Sequence, residues 1–328
     1  MKKISFILLL IIAALGVQAQ SRKHIGNFAT YQPYFNPAFT GQDGSIVRSL
    51  YRNQWTGFED APRTLFLSGE IDLANLEAWH HGHLSMDPRE NANVLAATNA
   101  IGISLLHDTF GPYQESQVLL SYSSRIRLSR KLSLRAGAAA NYDFTRLDAQ
   151  KLTIDNETDP EYQNLLQNNN QLHRFDINVG ISLVGDNFYV GYGLADATKG
   201  KLFAGDSYLN YTINRQHNVQ AGYRIAVSES FGLVANSMLR YGSKQEESLE
   251  GQLKGVFMNT FWAGMGYRQN SAYTFTAGAR LNQVKFAYLY EAATSNARSL
   301  GRSSNEITLT YNLIPALHKD LGRKITIW

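Results

Sequence analysis

At 328 residues and a formal charge of +4, the chain has a basic bias too weak and too scattered to argue for a nucleic-acid partner. No cysteine occurs, which excludes disulfides, thiolate chemistry and lipid attachment at a cysteine. What stands out instead is 18 Tyr, 16 Phe and 26 Gly beside only 7 Pro, a length that large β-barrels reach as one domain.

Lys2 and Lys3 open the chain, an apolar run follows from Ile4 to Val17, and Val17-Gln18-Ala19 supplies a small-x-small cleavage site. Residues 1–19 are therefore predicted to be a cleaved signal peptide, and losing its two lysines lowers the charge to +2 (4 − 2). No later apolar run approaches the length of a membrane-spanning helix. Residues 20–45 lack any alternation and are rich in Tyr, Phe, Asn and Pro, which marks a periplasmic lead-in or a plug. The next stretch, Ile46 to Trp55, reads as a strand yet carries Arg48, Arg52, Asn53 and Gln54. A first strand this polar needs one face on something wet.

From there strict alternation recurs. In "RFDINVGISLV" Phe175, Ile177, Val179, Ile181 and Leu183 share one face, and Arg174, Asp176, Asn178 and Ser182 share the other. "AYTFTAGARL" and "EITLTYNL" repeat the pattern. About fourteen such segments are predicted, at 46–55, 64–73, 99–108, 114–128, 132–145, 173–184, 188–196, 211–227, 231–241, 250–258, 261–268, 272–281, 284–293 and 304–313. Alternation is weakest in 46–55 and 250–258. Tight turns follow the even-numbered segments, at 130–131, 185–187, 228–230, 259–260 and 282–283. Long polar links mostly follow the odd ones, including "GSKQEESLE" and "TSNARSLGRSS". The long 74–98 connection and the short one near 269–271 break this rule.

The predicted fold is an all-β transmembrane outer-membrane barrel of about 14 antiparallel strands over 46–313, with 314–328 as a C-terminal periplasmic tail. Hydrocarbon offers backbone N–H and C=O groups no partner, so strands cross it only in a closed sheet. A barrel this wide leaves room for a charged interior. Alternation points Arg48, Arg52, Glu70, Asp72, Arg125, Arg127, Arg135, Asp143, Arg174, Asp176, Arg224 and Arg280 into the lumen. Mixed signs favour pairing across it, or contact with a plug, over an ion-selective pore.

Nothing in the chain supports catalysis, a cofactor or a metal. "WHHGHL" places His81 and His83 on one face, but only Asp87 is near, and a solvated loop is the plainer reading. "DNETDPE", Asp155 to Glu161, lacks the glycine and spacing of a calcium loop. His107 and His173 lie near strand ends, yet no G-x-S-x-G singles out a serine for a barrel phospholipase. "VGYGLA", Val190 to Ala195, is strand glycine beside aromatics, since no helix follows it.

"YFNPAFTG" from Tyr34 to Gly41, "YRNQWTGF" from Tyr51 to Phe58, and Ala61-Pro62-Arg63-Thr64 together resemble the N-terminal signature of the PorP/SprF family, and "SSNEITLTYNL" resembles its last strand. The signature covers about the first fifth of the chain; the middle agrees only in length and strand character. The resemblance implies an outer-membrane component of the type IX secretion system, supporting secretion or surface attachment of large adhesins of the gliding-motility type. It implies as partners the secreted adhesin or its C-terminal sorting domain and the system's periplasmic peptidoglycan-associated proteins, with outer-membrane lipid around the barrel. On this reading Tyr34, Asn36, Pro37, Ala38, Gly41, Arg52, Gln54, Trp55 and Pro62 are the candidate family-motif and partner-contact residues. One departure is the stretch "IPALHKDLGRKITIW" that continues past Leu313. The alternative reading is a passive porin or small-solute transporter.

Overall fold

The computed structural model describes residues 24–73, 99–129, 131–152, 163, 170–199, 203–204, 214–242, 245–294, 303–313, 325 and 327–328. The strands are β1 Ile46–Asn53, β2 Arg63–Asp72, β3 Asn99–Phe110, β4 Tyr113–Ser129, β5 Leu132–Leu147, β6 Gln171–Gly185 and β7 Phe188–Ala195. After the two-residue β8 Phe203–Ala204 come β9 Gln216–Ala226, β10 Phe231–Gly242, β11 Gln245–Phe257, β12 Phe261–Arg268, β13 Ala272–Leu281, β14 Val284–Ala293 and β15 Ser304–Asn312. Every strand but β8 joins one antiparallel ring of fourteen. Two pairings close it: β1 with β15, from Ile46↔Asn312 to Asn53↔Asn305, and β5 with β6, from Leu132↔Gly185 to Arg146↔Gln171. The short β8 folds back on the far end of β6, pairing Phe203 with Phe175.

Period-two patterning explains the shape. On β13, Thr274 and Thr276 are buried while Tyr273 and Phe275 are each 52% exposed; on β3, Ile101, Ile103 and Leu105 point outward and Ser104 and Leu106 inward. A continuous aliphatic and aromatic exterior of this extent would be an aggregation surface in water. Against hydrocarbon it is the required one. Among the described residues no helix is long and apolar enough to cross a membrane.

All fourteen segments expected from the sequence are strands, including 46–55 and 250–258. The boundaries differ instructively. The fourteenfold count holds, but "GSKQEESLE" is not a long link: β11 starts at Gln245 and pairs back to Gly242. The segment expected from 211 begins as β9 only at Gln216.

Tight turns at 186–187, 227–230, 258–260 and 282–283 gather at one rim, together with the start of β1 and the end of β15. Met258 and Asn259 there take φ 51 and 50, the left-handed pair whose twist suits a hairpin. The other rim carries the long links, though 111–112 and 269–271 are short as well. The 1–19 leader, the 74–98 connection with His81, His83 and Asp87, and Asp155–Glu161 lie outside the described residues.

Candidate functional site

The interior of the ring is occupied by the chain's own residues 24–45. His24 meets side chains near the long-link ends of β10, β11 and β14, whereas Asp43 and Ser45 meet β1 and β2 at the tight-turn rim. The segment therefore runs the depth of the lumen before β1 begins.

Its shape follows from its sequence. Pro33 lies in the first turn of α1, Gln32–Phe35, where a missing N–H costs nothing. Asn36 is extended (φ −149, ψ 107), and its Oδ1 accepts the Ala38 N–H at 3.0 Å to start a 3-10 turn at Pro37–Phe39. Gly41 has φ +72, and a Cβ there would stand 2.2 Å from that of Ala100; only glycine meets both demands. On the apolar side Ile25, Phe28, Tyr31, Tyr34 and Phe35 pack with Leu50, Phe66, Leu106 and Met238. Tyr31 and Tyr34 each present an edge to the Phe66 ring, at 5.1 and 5.4 Å.

The barrel wall is cut to receive this turn. Cβ atoms added to Gly137, Gly180, Gly191 and Gly193 would lie 2.4 Å from the Pro37 carbonyl, 1.9 Å from Asn36 Oδ1, 2.5 Å from Phe39 and 2.6 Å from Phe35 O. The glycines of "VGYGLA" thus make a smooth seat on β7. Polar groups then join wall and insert: Asn218 Nδ2 donates to Phe35 O (3.0 Å) and Arg135 Nε to Ala38 O (3.0 Å), while Asn36 Nδ2 of the insert donates to Ile181 O of the wall (3.3 Å). Ser123 Oγ and Arg135 Nη2 both donate to Thr40 O at 2.6 Å. Glu70 accepts the Gly41 N–H at 2.7 Å while pairing with Arg48, which also holds Asp43 at 2.7 Å.

Toward the long-link rim lies a second charged set. Arg52, 1% exposed, reaches Glu291 on β14 at 3.1 Å and Glu306 on β15 at 3.4 Å. Glu306 also accepts the backbone N–H groups of Gly26 (2.8 Å) and Asn27 (3.0 Å). Glu291 takes a further bond from Arg268 at 2.8 Å. His24 sits among Arg240 (3.0 Å), Glu291 (3.5 Å) and Glu250 (3.8 Å). Burial, and secondarily Arg268, hold the His24 imidazole well below its ordinary pKa against the pull of Glu291. Burial acts to raise the Asp43 carboxyl, but Arg48 and Lys285 outweigh it and keep Asp43 below its ordinary value.

The tail expected over 314–328 differs at its end. Ile325 and Ile327 are buried inside the barrel with Val234, Val256, Trp262 and Ala287. Trp328 lies under the Arg224 guanidinium at 4.0 Å and against Tyr189 at 4.8 Å, and its carbonyl accepts from Lys254 Nζ at 3.0 Å. The apolar pattern Ile-x-Ile-Trp finds a dry slot here, where a periplasmic tail would leave it in water. Between this end, the insert and Lys285 is a cavity of about 40 Å³, room for about three waters.

The candidate residues divide accordingly. Tyr34, Asn36, Pro37, Ala38, Gly41 and Arg52 are all buried in the lumen. Gln54, Trp55 and Pro62 form the β1–β2 loop at the long-link rim. Gln54 N donates to Pro62 O at 2.9 Å, Pro62 is buried, and half-exposed Trp55 packs edge-on to Phe110 at 5.7 Å. Of the expected lumen residues, Arg48, Arg52, Glu70, Asp72, Arg135, Asp143, Asp176, Arg224 and Arg280 are buried, and half-buried Arg174 pairs with Asp143. Arg125 is half-buried and Arg127 exposed, because β4 and β5 continue together past the tight-turn end of β3. Glu250, Lys254, Glu291 and Glu306 were missed as site residues, although Glu306 stands on the polar face of an alternating strand.

His107 does meet a serine: its Nδ1 is 2.9 Å from Ser116 Oγ on the outward face. Both belong to a paired ladder whose N–H groups are engaged between strands. Among the described residues no group of three or more His, Asp or Glu is placed to hold a metal.

A family model for the type IX secretion system membrane protein PorP/SprF matches residues 17–311. Among solved structures, the CymD monoaromatic hydrocarbon channel is similar at 12% identity and TM-score 0.47, covering 89% of this chain and 93% of that one. A FadL homologue from Pseudomonas aeruginosa is 11% identical with TM-score 0.41, covering 84% and 92%. CdiB from Acinetobacter baumannii is 8% identical with TM-score 0.42; this chain spans 59% of it. None of the curated proteins compared matches the chain.

Proposed function

The chain belongs to the PorP/SprF family of type IX secretion system membrane proteins, and from that premise we propose that it is a sealed outer-membrane barrel supporting secretion or surface attachment of a large adhesin. The observation that carries this reading is the filled lumen: a conduit for solutes would not bury Tyr34 to Gly41 against a wall of glycines and hydrogen-bond donors. A sealed barrel acts through its rims. The β1–β2 loop, with Trp55, exposed Phe58 and the neighbouring Phe110 and Tyr113, is the aromatic surface on which an exported adhesin or its C-terminal sorting domain would rest. Periplasmic peptidoglycan-associated partners would meet the tight-turn rim.

Two measurements test it together. Trp55→Ala combined with Phe58→Ala should leave the barrel inserted but abolish adhesin display on the cell surface; undiminished display refutes the assignment. The intact purified protein should be nearly silent in a planar bilayer, and a large steady conductance would instead favour the porin reading.

A further inference from the structure

Outward-facing residues at the long-link rim divide the barrel into two unlike halves. On β2 through β9 the exterior passes from apolar to basic toward that rim. Leu67 and Leu65 give way to Arg63, Ile103 and Leu105 to His107, Tyr142 and Phe144 to Arg146, Phe175 to His173, and Val219 to His217 and then Arg215. On β10 through β1 the same positions carry Tyr241, Glu247, Tyr267, Tyr273, Tyr290, Asn305, Tyr51 and Asn53, with no cation. Among the described strand residues no carboxylate faces outward in the basic half; Glu59 and Asp60 sit in the loop ahead of β2.

Within the basic half one arrangement occurs twice. Tyr142 OH meets His173 Nδ1 at 2.7 Å, and Tyr192 OH meets His217 Nδ1 at 2.7 Å; both ring pairs incline at 36°. Each tyrosine reaches diagonally to the next strand, since its direct partners are Phe175 and Val219. A hydroxyl donating to Nδ1 leaves the ring proton on Nε2, a donor for a ligand. Each pair has an exposed arginine beside it. Arg146 is diagonal to His173 across β5 and β6, and Arg215 lies two residues from His217, its Nε donating to Ala197 O at 2.8 Å. Tyr241 stacks on His217 at 4.7 Å and 7°.

We propose that these two Arg–His–Tyr sets, Arg146–His173–Tyr142 and Arg215–His217–Tyr192, each bind a phosphate group of a lipid headgroup in the leaflet around the long-link rim. Side chains that project outward where apolar strand gives way to loop face the bilayer's polar layer, whose anionic groups attract cations. Guanidinium and imidazole N–H groups match phosphate oxygens, and the tyrosines hold the imidazoles in place. The registers put His217 level with Val179, six residues along β6 from His173, so each set takes a phosphate of its own.

The test uses the full chain, stripped of lipid in neutral detergent, with diphosphorylated lipid A, the same lipid dephosphorylated, and inorganic phosphate as probes, read by native mass spectrometry and thermal unfolding. The diphosphorylated lipid alone should remain bound and raise the unfolding temperature. A cation at a charged bilayer surface contributes about fivefold in affinity, so Arg146→Gln with Arg215→Gln should weaken binding about fivefold at each set. Arg146→Lys with Arg215→Lys should retain most of it, and Tyr267→Phe with Tyr290→Phe in the other half should retain all. Equal binding of the two lipids, or binding unmoved by the glutamine pair, overturns the proposal. Should that pair fail to insert, the unaltered protein decides: affinity that does not fall between about 0.05 M and about 0.5 M salt overturns it equally.

Discussion

Replacing Gly137 and Gly180 together by alanine should unseat the insert while sparing the wall. A new Cβ at Gly180 would lie 1.9 Å from Asn36 Oδ1, against a closest tolerable approach of 3.0 Å, so Asn36 must retreat by at least 1.1 Å (3.0 − 1.9). The Cβ at Gly137 would strike the Pro37 carbonyl at 2.4 Å, so the turn cannot escape toward β5. Retreat forfeits the Asn36–Ala38 cap, about 1 kcal/mol, and the charged Arg135–Ala38 bond, about 1.5 kcal/mol or more. Overpacking adds about 1–3 kcal/mol, and because these losses overlap the net cost to seating is about 3 kcal/mol. The ladders of β5 and β6 are untouched, and alanine is no worse than glycine within a strand. A 3 kcal/mol penalty raises the unseated population roughly 150-fold. Planar-bilayer recordings should then show openings in a protein otherwise silent, and protease should reach residues 24–45. An inserted double variant that stays silent, with the segment as protected as before, refutes the claim that these glycines seat it.

Arg52→Met leaves Glu306 and part of Glu291 without their buried counter-charge and should cost about 3–5 kcal/mol in denaturant unfolding. Adding Glu306→Gln, whose one carbonyl oxygen can still accept from either Gly26 or Asn27, should restore part of that, and no restoration would mean that Arg52 acts by packing alone. His24 is held neutral, so the unfolded chain binds its proton more readily. Stability contributed by this site should therefore fall as pH drops below the ordinary histidine value of about 6.5, by up to about 1.4 kcal/mol per unit, with a flatter profile in His24→Gln. Its charged neighbours Arg240, Arg268, Glu250 and Glu291 set the size of that slope, and identical profiles for the two proteins would remove the role of His24.

Much of the architecture was legible because lipid imposes a local rule: each crossing strand must show an apolar residue at every second position. That is why even 46–55, laden with arginine, could be placed. The rule lapses beyond the bilayer, and so the first residues of β11, "QEESLE", looked like loop. The interior was legible only by halves. Alternation said that Arg52 and Arg135 face inward, but not that Arg52 meets β14 and β15 or that Arg135 serves carbonyls some hundred residues away in sequence. Nor does a strand glycine announce its purpose. Gly180 and Gly193 have meaning only opposite Asn36 and Phe35, a pairing set by tertiary closure. The motif Tyr34–Gly41 was visible as a motif, but its burial was not, since aromatic and Asn-Pro stretches serve equally well at an exposed edge.

Glu306 stands on the final strand, directly opposite Arg52 on the first, and it also holds the amides of Gly26 and Asn27. The amides of Gly26 and Asn27 therefore gain this acceptor only where β15 has come to lie against β1. Occlusion of the lumen is thus tied to closure of the ring at its first and last strands.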